Sequence, residues 1–400
     1  MRIRLMAPVV ALVLVATLAT GAGSTPALHQ WSPPTDVSGG AAMSNQSAVV
    51  AANGDAALVV QTATGFAGLL RRGGAWSSPV SLDVAGEFAA GGATPLAASR
   101  DGRIFAAWIS FVNATSVLGV RLAISHPGST TFEAPLFVVP AEFNGLDSLR
   151  LAVDGDGHVV VAAMVSSDGG VTRSLHIVRC DLSGVPLCEA PTVVPGVANV
   201  ALVEPEPGLI SVVWLTATAE VRIADLGPTG LGASTLAATA TTPSEFKAWA
   251  GSGSVLVQWS EGPFGRRAAR IGGVWQAATT VGDVVVDAAF TPDGAMYLLR
   301  LTNSGGLEVA LTPDATTDTY VHPLASMYVE LYPAPAFQMA SDGSLVVLWA
   351  DYSANLVRSA MLVDGIWQTS VTLSPYAPCG GEPILSGGSG DQVLAAWVDF

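Results

Sequence analysis

Lysine is nearly missing from this chain, with one residue in 400, Lys247. Lys and Arg together number 17 against 32 Asp and Glu, a formal net charge of −15. Binding nucleic acid by neutralising phosphates needs clustered cations, and so does a basic membrane-surface protein. Both classes are excluded. Charged residues of either sign make only 12% of the chain, about half the usual share. Half of the residues are apolar, which argues against a disordered polypeptide. Cysteine is scarce, at Cys180, Cys188 and Cys379, with no Cys-x-x-Cys pair, and the five His are scattered. No metal and no cofactor are expected from such a set. Also absent are Gly-x-Ser-x-Gly, His-Glu-x-x-His, a P-loop and a dinucleotide fingerprint.

What is present begins with an address. Met1-Arg2-Ile3-Arg4 is a short basic start, an apolar run follows to Ala19, and small residues lead to Ala22, Ser24 and Ala27. This is the layout of a secretory signal peptide. The run is about 15 residues, short of the roughly 20 that span a bilayer. We therefore expect residues 1–27 to be removed. Residues 28–400 then form one domain, a soluble and monomeric protein, secreted to the extracellular space or the periplasm. Its net charge becomes −17, since two Arg leave with the signal. Export permits disulfides, and Cys180 and Cys188 flank a turn-like string, Asp181 to Leu187, that a bridge would close. Cys379 is left odd.

One unit recurs at intervals of roughly 43 to 53 residues, the range of repeat architectures. A short apolar run leads into a Gly-containing turn and then a second apolar run, often ending in Trp. The turns are Asn53-Gly54-Asp55, Asp101-Gly102, Asp156-Gly157, Glu206-Pro207-Gly208, Ser252-Gly253, Asp293-Gly294, Asp342-Gly343 and Gly390-Asp391. Runs this short are strands rather than helices. A third run follows, and often a fourth, as in Trp76–Val80, Trp275–Thr279 and Trp367–Val371. Leu345–Trp349 and Val159–Met164 are apolar at every position, so both faces of each sheet need cover. Four-stranded antiparallel sheets packed face to face around an axis make a β-propeller. The expectation is all-β with eight blades, the last joining Pro383–Phe400 to an outer strand from His29–Val37 and so closing the ring with both termini. Seven blades is the alternative. An outer-membrane barrel is the rival fold, suggested by the terminal Phe400, but its strands alternate in polarity.

Ser166-Ser167-Asp168-Gly169-Gly170-Val171-Thr172-Arg173 resembles the Asp-box of sialidase-like propellers, Ser-x-Asp-x-Gly-x-Thr-Trp. Arg173 stands where that family has Trp, and the string falls between second and third strands rather than third and fourth. The resemblance implies a secreted bacterial propeller in which the box is a structural turn held by its own Asp. Catalysis in that family uses three Arg, a Tyr–Glu pair and an Asp acid. The spacing of Arg100, Arg121, Arg150 and Arg300 marks no such triad, so those roles are not carried over.

Asp154-Gly155-Asp156-Gly157 has the start of a calcium loop but lacks the carboxylates that complete one, so a β-turn is expected. Asn45-Gln46-Ser47 and Asn113-Ala114-Thr115 are glycosylation sequons. The recurrent Trp108, Trp214, Trp259, Trp349 and Trp397 sit at one repeat position and are expected to pack blade on blade. The connections between second and third strands, and those between units, make the irregular face, where function usually sits. Tyr328, Glu330, Tyr332, Tyr352 and Tyr376 fall there, with Asp351, Glu382, Glu261, Phe264 and Arg266. Aromatic rings with carboxylates suit sugar binding. The reading is a non-catalytic binding module for a glycan or an extracellular protein. A glycoside hydrolase or lyase of sialidase-like type and a passive scaffold are the alternatives.

Overall fold

The structure is a computed structural model. It describes residues 12–19, 30–32, 35–37, 43–62, 65–90, 94–169, 171–261, 264–302, 304–325, 335–340, 342–351, 354, 356–374, 384–387 and 392–399. Among these residues every regular element is a strand. The fold is a β-propeller of four-stranded antiparallel sheets, and seven blades each use one contiguous stretch of chain. We number them I (43–81), II (87–143), III (145–195), IV (197–239), V (243–281), VI (284–325) and VII (336–374). Among the described residues no single sheet closes on itself as the rival barrel requires; the strands fall into separate sheets.

The eight-blade expectation is corrected to seven. The two ends of the chain do share a further sheet, but it is a composite. Its strands Ile384–Gly387 and Gln392–Asp399 come from the C-terminal end. Gln392–Asp399 pairs along its whole length with Leu12–Ala19, inside the segment expected to be a signal. Gln30–Trp31 and Thr35–Asp36, from the stretch expected to finish the blade, pair only with Leu12–Ala19. The expected segment was too short to supply both missing strands.

The chain groups into two compact units. One holds blades I and VII with the terminal sheet; the other holds blades II to VI. In the second unit, Val159–Ser166 is buried at every position. Val159, Val161, Ala163 and Val165 join Phe105 and Leu122 of blade II. The alternate residues Val160, Ala162 and Met164 join Val212 and Trp214 of blade IV. Successive side chains point to opposite faces of a strand, so an unbroken apolar run covers two neighbours at once. Trp259 packs between blades IV and V in the same way. In the first unit the terminal sheet sends Leu394 and Ala396 to blade I, and Ala395 and Trp397 to Leu348 and Val357 of blade VII. All five recurrent Trp are 3% exposed or less, as packing residues should be.

The Asp-Gly turns are hairpins between first and second strands, with one refinement. Gly54, Gly102, Gly157, Gly294 and Gly343 take φ between 80° and 88°, while their Asp neighbours stay negative. The Gly amide donates to the carbonyl three residues back, as Gly102 does to Ser99. This is a type I turn ending in a left-handed Gly, not a two-residue mirror-image turn. The mirror-image type appears between third and fourth strands, at Gly73-Gly74, Gly272-Gly273 and Asp364-Gly365, where both central residues have positive φ. The Trp that follows starts a fourth strand broken in two, such as Ala75–Trp76 and Val80–Ser81, both paired with Phe66–Arg72.

Turns of adjacent blades in the second unit touch. The Arg103 guanidinium donates to the Gly157 carbonyl at 3.2 Å. The Gly155 amide donates to Gly208 at 2.8 Å, and the Gly253 amide to Pro205 at 2.8 Å. The bridge Cys180–Cys188 is formed, across the third and fourth strands of blade III. Cys379 lies outside the described residues.

Candidate functional site

Of the ten residues expected at the binding face, four are described. Glu261 and Phe264 are opposite partners at the end of the second hairpin of blade V, and Arg266 faces Trp259 there. The Glu261 carboxylate accepts the Trp259 indole N–H at 2.9 Å and the Thr241 amide at 2.9 Å. The indole contact is the main cause holding its carboxyl below the usual range. Arg266 reaches Thr280 Oγ1 at 3.2 Å. Asp351 ends the second strand of blade VII, 2.9 Å from Arg358 and accepting the Ala354 amide at 3.1 Å. Tyr328, Glu330, Tyr332, Tyr352, Tyr376 and Glu382 lie outside the described residues, as does the Gly390-Asp391 turn.

A relation missed in the sequence runs through these positions. The Trp ending the second strand stands opposite an Arg on the third: Trp108 and Arg121, Trp214 and Arg222, Trp259 and Arg266, Trp349 and Arg358. Most of these Arg hold an acid: Arg121 pairs with Glu87, Arg222 with Glu220, and Arg358 with Asp351. The signal was available, since each Trp is followed by an Arg at hairpin distance. Cross-strand pairs of this kind lie on one face of a sheet. Part of the charge at the irregular face is therefore committed to holding blades.

The described cleft lies on blade III. It is about 510 Å³, with Phe143, Val165, Val171, Pro195 and Val197 as apolar walls. Ser167, Thr172, Arg173 and Ser174 bring the polar atoms. One wall is the string resembling an Asp-box. Asp168 accepts from Ser166 Oγ at 2.6 Å and from the Thr172 amide at 2.9 Å, and the Thr172 hydroxyl also bonds it. These bonds, Ser166 foremost, hold the carboxyl far below its usual range. The string does sit between second and third strands, and its Asp serves the turn. A second wall is the connection from blade III to blade IV. There the Gly196 amide donates to the Arg173 carbonyl at 2.9 Å, and the Ala217 amide to the Gly196 carbonyl at 2.7 Å.

Arg173 pairs with Asp147 at 3.0 Å, and both side chains are nearly half exposed. His176 meets the Phe143 ring edge-on at 5.2 Å between centroids. Burial pushes the His176 imidazole below its usual pKa, against the pull of Glu142. Among the described residues, none lining the cleft is a carboxylate. The arrangement offers shape, hydroxyls and one cation balanced by Asp147.

Asp154, Asp156 and His158, on the turn face of the same blade, bring ligand atoms within 4.8 Å of one another. Arg179 already occupies the group, 2.6 Å from Asp154 and 3.4 Å from Asp156. It also lies 2.9 Å from His158 Nδ1, which must accept because a guanidinium only donates. Burial opposes ionisation of Asp154, but bonds from the His158 amide and Arg179 outweigh it and lower its pKa. A cation here would have to displace Arg179, and the turn expected from the sequence is what forms.

Four-stranded blades stacked face to face define the class, a β-propeller. No family model and no curated protein matches the chain. Solved structures do. The dihydro-heme d1 dehydrogenase NirN is similar at 9% identity and a TM-score of 0.57, over 90% of this chain and 73% of that one. A prolyl endopeptidase is similar at 13% identity and a TM-score of 0.54, over 83% of this chain and 50% of that one. A Hadza microbial sialidase, Hz136, is similar at 10% identity and a TM-score of 0.46, over 77% of this chain and 63% of that one. This chain thus spans half of the endopeptidase and less than two thirds of the sialidase. The first two likenesses support the fold alone, and their two unlike activities assign none to this chain.

Proposed function

We propose that this chain is an exported, non-catalytic binding protein whose ligand is a carbohydrate, held on the face of the connections between second and third strands. The observation that carries the reading is the blade III cleft. Its volume suits a sugar of one or two rings. Its apolar walls meet C–H faces, and its three hydroxyl side chains match sugar hydroxyls. Glu261, Phe264 and Arg266 on blade V and Asp351 on blade VII belong to the same kind of connection and extend the binding face. The disulfide fits export, and with it go signal removal, an extracellular or periplasmic setting and a monomeric state.

Glycan-array screening of the processed chain, beside assays on chromogenic glycosides, tests this. We expect saturable binding that Arg173→Ala and Phe143→Ala weaken, and no turnover. Turnover above blank would overturn the reading in favour of a hydrolase. Silence in both assays would leave a scaffold.

A further inference from the structure

We propose that the edge of Gln392–Asp399 is a strand-acceptor site, taken in the processed protein by an extended apolar segment of a partner protein. The inference rests on the reading that residues 1–27 are removed on export. Leu12–Ala19 pairs with Gln392–Asp399 through eight consecutive residues, from Leu12 opposite Asp399 to Ala19 opposite Gln392. Nothing else described touches that edge by pairing; Ile384–Gly387 takes the opposite one. Gln30–Trp31 and Thr35–Asp36 pair in the sheet only with Leu12–Ala19. Cleavage would therefore strip one whole edge of a central strand.

That strand cannot simply leave. Val393 to Trp397 are each 1% exposed or less. Leu394 and Ala396 are packed against Leu58 and Leu69 of blade I, while Ala395 and Trp397 pack against Leu348 and Val357 of blade VII. The side chains hold it between two blades while its edge loses its ladder partners, and unpaired backbone groups in such a place are costly. An added strand restores the ladder, the physics of β-augmentation. The chemistry of the guest is read from the segment seated there, Leu-Val-Leu-Val-Ala-Thr-Leu-Ala. It is uncharged, free of Pro, and apolar at every position but Thr17. The guest is an antiparallel segment of at least that length and kind.

The experiment uses the secreted chain, its N-terminus fixed by sequencing and intact mass. The probe is a fluorescein-labelled peptide of residues 12–19 with a short Lys tail. The control peptide carries Pro in place of Ala16, which removes a ladder donor. We expect a start beyond Ala19, saturable binding of the probe, and binding by the control weakened about tenfold or more. Amide exchange at Gln392–Asp399 should slow only when the probe is bound. A secreted chain that retains residues 12–19 would overturn the proposal, because the strand would be the protein's own. Absence of probe binding, or full protection of Gln392–Asp399 without the probe, would overturn it as well. Glycan binding through the cleft is read separately, so either idea can fail alone.

Discussion

Arg267 and Asp283 form an ion pair of 2.6 Å between blades V and VI, with the Arg267 side chain only 3% exposed. Arg300 lies 3.3 Å from the same carboxylate, 2.6 Å from Glu308 and 2.7 Å from Asp318. Burial works against the Arg300 charge, but these acids outweigh it and raise its pKa. Removing one partner of a buried pair strands the other. We expect Asp283→Ala to lower stability by about 3–5 kcal/mol, and Asp283→Asn by less, as measured by urea unfolding.

The Trp259–Glu261 contact couples packing to the irregular face. Trp259→Phe keeps most of the buried ring but leaves the carboxylate without its indole donor. A loss of about 1.5–3 kcal/mol is expected, the range for a hydrogen bond to a charged group. The same melt of Glu261→Gln should show a smaller change, since the amide oxygen still accepts.

Acid should loosen the connection after the third strand of blade VI. Burial opposes ionisation of Asp314, yet amides of Thr316 and Thr317, at 2.8 and 2.7 Å, bring its pKa down to about 2. A carboxyl depressed on folding adds stability that is complete above its unfolded pKa of about 3.9 and fades as pH falls through the folded value. The Tm gap between the native chain and Asp314→Asn should be constant above about pH 5 and close between about pH 4 and 2.

Gly208 is held close to the next blade. It has φ +85°, and a Cβ there would sit 2.4 Å from the Gly155 backbone. Gly208→Ala combines strain with a clash and should cost about 2 kcal/mol or more. Gly253→Ala, with φ +77° but open space, is the control and should cost less. Chemical denaturation separates them.

The Cys180–Cys188 bridge closes a loop with a sequence separation of 8. Cys180→Ser with Cys188→Ser should lose about 2–3 kcal/mol on the chain-entropy account. Reductant should lower the Tm of the native chain and leave the double variant unchanged.

The blades were legible because their signal is local. Unbroken apolar runs such as Val159–Met164 demand two covered faces, and Gly at the end of each turn marks the hairpins. The disulfide was legible for the same reason. The blade count was not, since it depends on which distant segment reaches Gln392–Asp399, and nothing in the local pattern of Leu12–Ala19 separates a leader from a strand. The cleft was also hidden. Phe143, Ser167 and Ala217 come from three blades and meet only through packing. The acids picked out in the sequence were visible as charges, but their indole and Arg partners lay across hairpins.

The broken fourth strands have a consequence for how copies of this protein meet. Five blades end in outer strands cut into short pieces, as at Gly230–Leu231 and Thr235–Thr239. The two uncut ones, Leu136–Phe143 and Tyr320–Ala325, carry Pro140 and Pro323. Among the described residues, the outer strands of these seven blades therefore offer a neighbouring molecule only short or proline-bearing edges on which to zip.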